Sequence, residues 1–295
     1  MARSRILSVA AVAAAAALSL SACSPSSSGG SGSASSASGS TAAQSGSSDT
    51  LRIGIKYDQP GLGFREGQNA PTGFDTDVAR YVAGKLGVAE DKIEWVQTPS
   101  ANRENALENG EVDMIFATYS ITDARKQRVD FAGPYFVAGQ DLLVRQDDTS
   151  ITGPDSLNGK NLCSVTGSTS AQKIKDNYAS GVNLVEQGGY AECVTYLESG
   201  QVDAVTTDDI ILAGLAATDA NKGKFKVVGQ PFTTERYGVG LQKGSDKCKD
   251  INEAIKAMKD SGEWEKSLKA NTEGTGYEYS EDKNSGADAE FEPCA

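Results

Sequence analysis

Two short segments of this chain repeat each other. Leu107-Glu108-Asn109-Gly110-Glu111-Val112-Asp113 returns as Leu197-Glu198-Ser199-Gly200-Gln201-Val202-Asp203, and each copy runs on into apolar residues. Both copies describe a helix end, a glycine stop and a short buried strand. The chain therefore holds two α/β units of similar build, each presenting a strand end to a shared space. Open α/β sheets carry their ligand sites beyond the carboxyl ends of the strands.

The order of elements agrees with that reading. Leu51 to Tyr57 alternates apolar and polar residues as a strand does, and ends in the turn-rich Asp58-Gln59-Pro60-Gly61-Leu62-Gly63. A helix with Val78, Val82 and Leu86 on one stripe follows, then a strand from Lys92 to Val96 and a short helix from Asn102 to Glu108. The second unit predicts strands over Lys160 to Val165, Asn183 to Val185 and Asp203 to Thr207. Its helices are expected over Ala171 to Tyr178, Tyr190 to Leu197 and Ile210 to Ala217. A strand at Arg236 to Leu241 and two helices parted by Gly262 are expected back in the first unit. That leaves two crossings, near Val144 to Asp147 and near Phe232 to Glu235, which together make a hinge.

Candidate binding chemistry sits where the strands end. Met114-Ile115-Phe116 runs into the hydroxyl cluster Thr118, Tyr119, Ser120 and Thr122, with Arg125 three residues on. A guanidinium fork matches two carboxylate oxygens, and neighbouring hydroxyls complete the shell, so the segment suits a small carboxylate. In the second unit Gly167-Ser168-Thr169-Ser170 stands at a helix start, where free N–H groups favour an anion. The spacing and lysine of a nucleotide-binding loop are missing. The acidic pair Asp208-Asp209 ends the last strand of that unit. The chain has no histidine, which excludes Ser-His-Asp and Cys-His nucleophiles and every histidine base.

The ends point to export. Arg3 and Arg5 precede an apolar run from Ile6 to Leu20, too short to span a membrane, and Leu20-Ser21-Ala22-Cys23 resembles a bacterial lipobox. The resemblance implies a leader over 1–22, a lipid on Cys23, and a net charge that falls from −12 to −14 as two arginines leave. A Ser/Gly-rich tether over 23–50 follows, its Ser24 to Ser48 stretch having a reach of roughly 28 Å, and 277–295 reads as an acidic tail on the surface. Four cysteines remain in an oxidising compartment. Cys163 with Cys193 lies within one half of the chain, and Cys248 with Cys294 would staple the tail to the body. A zinc site is the competing reading, against which stand the spacings and the lack of histidine.

GFDTDVARYVAGKLG, SITDARKQRVDFAGPY, the Gly-Ser-Thr turn and LESGQVDAVTTDD look like family landmarks and occur here in their order. From Leu51 to about Asn271 the chain resembles the polar-amino-acid branch of the solute-binding proteins that feed ABC importers. KYDQPGLGF, NGEVDMIFATYSI, LLVRQDD and LCSVTGSTSAQK look closest to its glutamate-binding lipoproteins. The resemblance implies a two-lobed periplasmic-binding-protein-like (type II) α/β fold with two hinge crossings. The first lobe would comprise 51–145 and 235–276, the second 146–234.

By the same resemblance Arg125 grips a ligand α-carboxylate. Thr118, Ser120, Ser168 and Thr169 surround the carboxylate and amine, and Asp208 takes the α-ammonium. Lys56 and Arg103 occupy positions where acidic-amino-acid binders carry cations for the second carboxylate, and Tyr190 is a donor from the second lobe. Of the residues in the first turn only Phe64 is aromatic, where many relatives stack an aromatic ring on the ligand; glutamate, glutamine and aspartate remain in contention. The implied protein is a monomeric, lipid-anchored receptor at the outer face of the cytoplasmic membrane. It would deliver L-glutamate to ABC permease subunits, with no cofactor, metal or nucleic acid. The alternatives are a glutamine or aspartate receptor, a dehydratase-like enzyme using a cleft carboxylate, and a sensor domain.

Overall fold

The computed structural model describes residues 50–178 and 181–294. The chain divides into two units, Met1–Gly46 and Ser47–Ala295, and everything described belongs to the second. The expected leader, Cys23 and the tether up to residue 49 lie outside the described residues. Among the described residues no helix is long and apolar enough to cross a membrane.

In chain order, β1 (Leu51–Ile55) leads through a two-stranded ribbon, β2 (Asp58–Gln59) and β3 (Gly63–Phe64), into α1 (Phe74–Lys85) and β4 (Ile93–Gln97). Next come α2 (Arg103–Glu108), β5 (Met114–Phe116), the one-turn α3 (Asp123–Lys126), the long β6 (Asp130–Ala138) and β7 (Gln140–Arg145). The second unit continues with β8 (Asn161–Val165), α4 (Thr169–Asn177), β9 (Asn183–Gln187), α5 (Tyr190–Glu198), β10 (Ala204–Asp208), α6 (Asp209–Ala217) and β11 (Phe225–Val227). The chain then returns through β12 (Glu235–Leu241), α7 (Cys248–Asp260), α8 (Glu263–Thr272) and α9 (Glu281–Ser285).

Two five-stranded sheets result, ordered β4-β1-β5-β12-β6 and β11-β7-β10-β8-β9. Each joins three parallel strands to an antiparallel pair. The repeated sequence occupies the same place in both. Asp113 Oδ2 accepts the N–H of Arg52 on β1 at 2.8 Å, and Asp203 Oδ2 accepts the N–H of Asn161 on β8 at 2.8 Å. Gly110 (φ 67°) and Gly200 (φ 77°) take the left-handed turn that ends the preceding helix. The recurring aspartate thus registers the middle strand of each sheet against the first.

The first lobe is built around ring packing. Phe74 meets Phe136 and Trp264 edge-on at 5.6 and 5.7 Å, and Trp264 Nε1 donates to the carbonyl of Tyr135 at 2.7 Å. Cys248, Ile251, Ala254, Ile255 and Met258 are buried at intervals of three and four along α7, which gives that helix the single apolar stripe a lobe-covering helix needs. The disulfide Cys163–Cys193 ties β8 to α5, and Cys248–Cys294 ties α7 to the chain end.

Two expectations need correction. The first crossing lies at Gly139 rather than near Val144 to Asp147: β7 hydrogen-bonds β10 and β11, so it belongs to the second sheet. The apolar run Leu142-Leu143-Val144 continues β6 in sequence, and only its pairing reveals the change of sheet. The last segment also does more than rest on the surface. Asn284 is buried and exchanges hydrogen bonds with the N–H and C=O of Val137, sealing the edge strand β6, while the Tyr277 hydroxyl donates to Asp209 of the second lobe.

Candidate functional site

The first wall is set by the end of β5. Thr122 caps α3, its Oγ1 accepting the Arg125 N–H at 3.2 Å, and this turns the Arg125 side chain back toward Ser120. Nη1 of Arg125 donates to the carbonyl of Ser120 at 2.7 Å, Nε to Glu104 at 3.1 Å, and Nη2 crosses to the carbonyl of Gly167 at 3.0 Å. Beneath it Arg103 donates to the carbonyl of Ala117 at 3.0 Å, and the Tyr119 ring lies 4.3 Å from the Arg103 guanidinium carbon and 4.8 Å from that of Arg125. Burial pulls Arg103 down to about 10. Its Nε has no hydrogen-bond partner among the described residues.

Lys56, just past β1, is buried. Its Nζ donates to Ser100 at 3.3 Å, pairs with Asp58 at 3.7 Å and lies 5.2 Å from the centre of the Tyr190 ring. Desolvation lowers its pKa and Asp58 opposes that shift. Asp58 also crosses the cleft, accepting the N–H of Tyr190 at the start of α5 at 2.9 Å. A favourable negative charge at a helix N-terminus thereby links the lobes.

The second wall comes from β8 and β10. Ser168 caps α4, accepting the Ala171 N–H at 3.0 Å. Thr169 touches Ser120 at 3.4 Å and donates to Glu235 at 3.1 Å, and Lys173 bonds the same Glu235. Gly167 has φ 78°, and a Cβ there would fall 2.7 Å from the Ala101 Cα, so only glycine allows this backbone contact between the walls. Tyr190 accepts the Thr207 hydroxyl at 2.7 Å. Asp208 is fully enclosed: Oδ2 accepts the Tyr237 hydroxyl at 2.5 Å, and Oδ1 has no partner among the described residues. Burial first, and then the charge of Glu235, raise Asp208 well above the ordinary carboxylate range.

Eight of the nine residues expected at the site are buried, and Thr169 is half-buried. Direct contacts join Ser120 with Arg125 and Thr169, and Lys56 with Tyr190. Asp208 acts on Tyr190 electrostatically, and its hydrogen-bond partner is Tyr237 from the first sheet. Sequence reasoning missed Asp58, Glu104, Glu235 and Tyr237. Glu104 had a signal, since a buried arginine needs an acid nearby and this one adjoins Arg103. A cavity of about 550 Å³ lies elsewhere, between α6, Pro231 and the segment from Gly274 to Glu278, and none of the nine residues lines it.

The family model for bacterial extracellular solute-binding proteins, family 3, matches residues 51–272. The chain is 47% identical over 232 residues to the glutamate-binding protein GluB of Corynebacterium efficiens, covering 75% of this chain and 78% of that protein. It is 38% identical over 231 residues to the ABC transporter glutamine-binding protein GlnH of Bacillus subtilis, with 78% and 83% covered. Among solved structures, an ancestral arginine-binding protein bound to arginine matches with TM-score 0.70 at 35% identity, over 77% of this chain and 99% of that one.

Proposed function

The chain belongs to family 3 of the bacterial extracellular solute-binding proteins, and from that premise we propose that it is the amino-acid receptor of an ABC importer, that its ligand is L-glutamate, and that it hands the ligand to a membrane permease. The observation carrying this reading is a division of charge. The first wall holds three buried cations, Lys56, Arg103 and Arg125, and the second holds Asp208 with one oxygen that accepts no hydrogen bond from the described residues. Arg125 already pairs with Glu104 and Lys56 with Asp58, but Arg103 makes no ion pair among the described residues. Buried charge is costly unless it is paired, so the unpaired guanidinium and the open Asp208 oxygen suit an amino acid that brings a second carboxylate.

In this reading Arg125 takes the α-carboxylate with Ser120 and Thr169 beside it, Asp208 Oδ1 takes the ammonium, and Lys56 with Arg103 faces the γ-carboxylate. An ammonium bound to Asp208 commits that carboxylate, which favours a receptor over a catalyst. The relationship to a glutamate-binding protein at 47% identity supports the same ligand. Export through the leader, anchoring through Cys23 and action as a monomer complete the proposal, with the crossings at Gly139 and before Glu235 serving as the hinge.

Calorimetric competition among glutamate, glutamine, aspartate and asparagine tests the choice of ligand. Glutamate binds tightest if the reading is right; tighter binding of glutamine overturns the assignment of Lys56 and Arg103.

A further inference from the structure

Beneath the cleft lies a carboxylate that the binding account does not use. Asp75, in the first turn of α1, is fully buried, and among the described residues no lysine or arginine pairs with it. Its Oδ1 accepts the Tyr135 hydroxyl at 2.8 Å, and its Oδ2 accepts the backbone N–H of Thr118 at 2.8 Å. A buried carboxylate without a direct ion pair is an expensive way to satisfy two donors, and a neutral acceptor would serve a purely structural purpose.

The recipient is unusual. Thr118 has φ 46°, and it is the one non-glycine residue with positive φ among the described residues. For a β-branched residue this is a strained backbone that persists only where its surroundings enforce it. Every polar group of Thr118 is held: N–H by Asp75, the carbonyl region by Arg103 Nη1, and the hydroxyl by Gln59 Nε2 at 3.1 Å and the Ala117 carbonyl at 2.8 Å. Asp75, Arg103 and Gln59 come from three separate elements and converge on one residue at the cleft floor.

We propose that Asp75 is a positioning residue for amino-acid binding: its carboxylate holds Thr118 in the left-handed conformation that sets the turn from β5 toward Ser120 and Arg125 at the cleft floor, so neutralising Asp75 weakens binding. The inference rests on the reading of the cleft as an amino-acid site. The charged and titratable groups facing Asp75 are Tyr135 on β6, Arg103 on α2, Lys56 after β1 and Tyr237 on β12. Burial pushes Asp75 up to about 6, so mild acid acts as a reversible neutralisation.

The experiment has an arm that needs no ligand. In the ligand-free protein, the hydrogen-exchange protection factor of the Thr118 amide falls at least tenfold in Asp75→Ala, and in the wild type it falls as pH drops through about 6. With L-glutamate as probe, Asp75→Ala lowers affinity at least tenfold. In a Thr118→Gly background, where glycine takes positive φ freely, the same change costs less than threefold. Equal cost in both backgrounds, or a Thr118 amide indifferent to both Asp75→Ala and pH, overturns the inference. Should Asp75→Ala not fold, the wild-type pH profile of Thr118 decides it. If the wild type does not bind glutamate, the proposed function falls, and the exchange arm still decides the role of Asp75.

Discussion

Replacing Asp208 by asparagine separates binding from stability, because the two respond in opposite directions. In the proposed complex Oδ1 receives the ligand ammonium while Oδ2 keeps the Tyr237 hydroxyl. In Asp208→Asn the amide oxygen can still accept from Tyr237, but an NH2 group then faces the ammonium. Losing a charge-assisted hydrogen bond costs about 2 to 3 kcal/mol, which is roughly a 30- to 150-fold loss of affinity for L-glutamate. The ligand-free fold behaves otherwise. Asp208 has a folded-state pKa raised above its unfolded value, so it adds stability below about pH 4 and gives that up as pH rises through the folded value. At neutral pH the carboxylate opposes folding, and the amide does not. Titration calorimetry and thermal melts between mildly acidic and mildly alkaline pH provide the check. The variant should bind at least 30-fold more weakly, melt no lower than the wild type at neutral pH, and lose less of its Tm across that range. Affinity within threefold of the wild type would refute the role assigned to Asp208.

Lys56→Gln should weaken glutamate roughly 30-fold and glutamine less than threefold, since only the former brings a second charge to Lys56; equal losses measured by competition would remove Lys56 from ligand selection. Gly167→Ala places a methyl group 2.7 Å from the Ala101 backbone across the seam, so glutamate affinity should fall at least tenfold while the ligand-free Tm stays within a few degrees. Removing the Cys163–Cys193 bridge by paired alanine substitution frees a loop with a sequence separation of 30. That should cost about 3 to 4 kcal/mol, lowering Tm by roughly 7 to 14 °C in a calorimetric melt.

The parts of this protein legible in its sequence are those governed by local rules. The two LExGxVD segments mark their strands because a glycine stop, an apolar strand and an aspartate that caps the neighbouring strand all lie close together in the chain. The Thr122 cap and Arg125 are likewise neighbours in sequence. What escaped depends on pairing between distant segments. Gly139 separates two strands that look like one, and only hydrogen bonds to β10 and β11 assign the second to its sheet. Tyr237 reaches Asp208 because β12 returns to the first lobe, and Asp75 reads as an ordinary first-turn helix acid until its partner Thr118 is placed above it. By composition the closing segment reads as an acidic surface tail. Asn284 nevertheless pairs with the open backbone edge of β6, and an amide can do this where an apolar side chain cannot.

A crystal structure of the chain grown with L-glutamate tests the central claim most directly. The account predicts the ligand in the seam, its α-carboxylate within about 3.2 Å of Arg125 and its ammonium within about 3.2 Å of Asp208 Oδ1. An amino acid bound with its ammonium away from Asp208, or bound outside the seam, would contradict it.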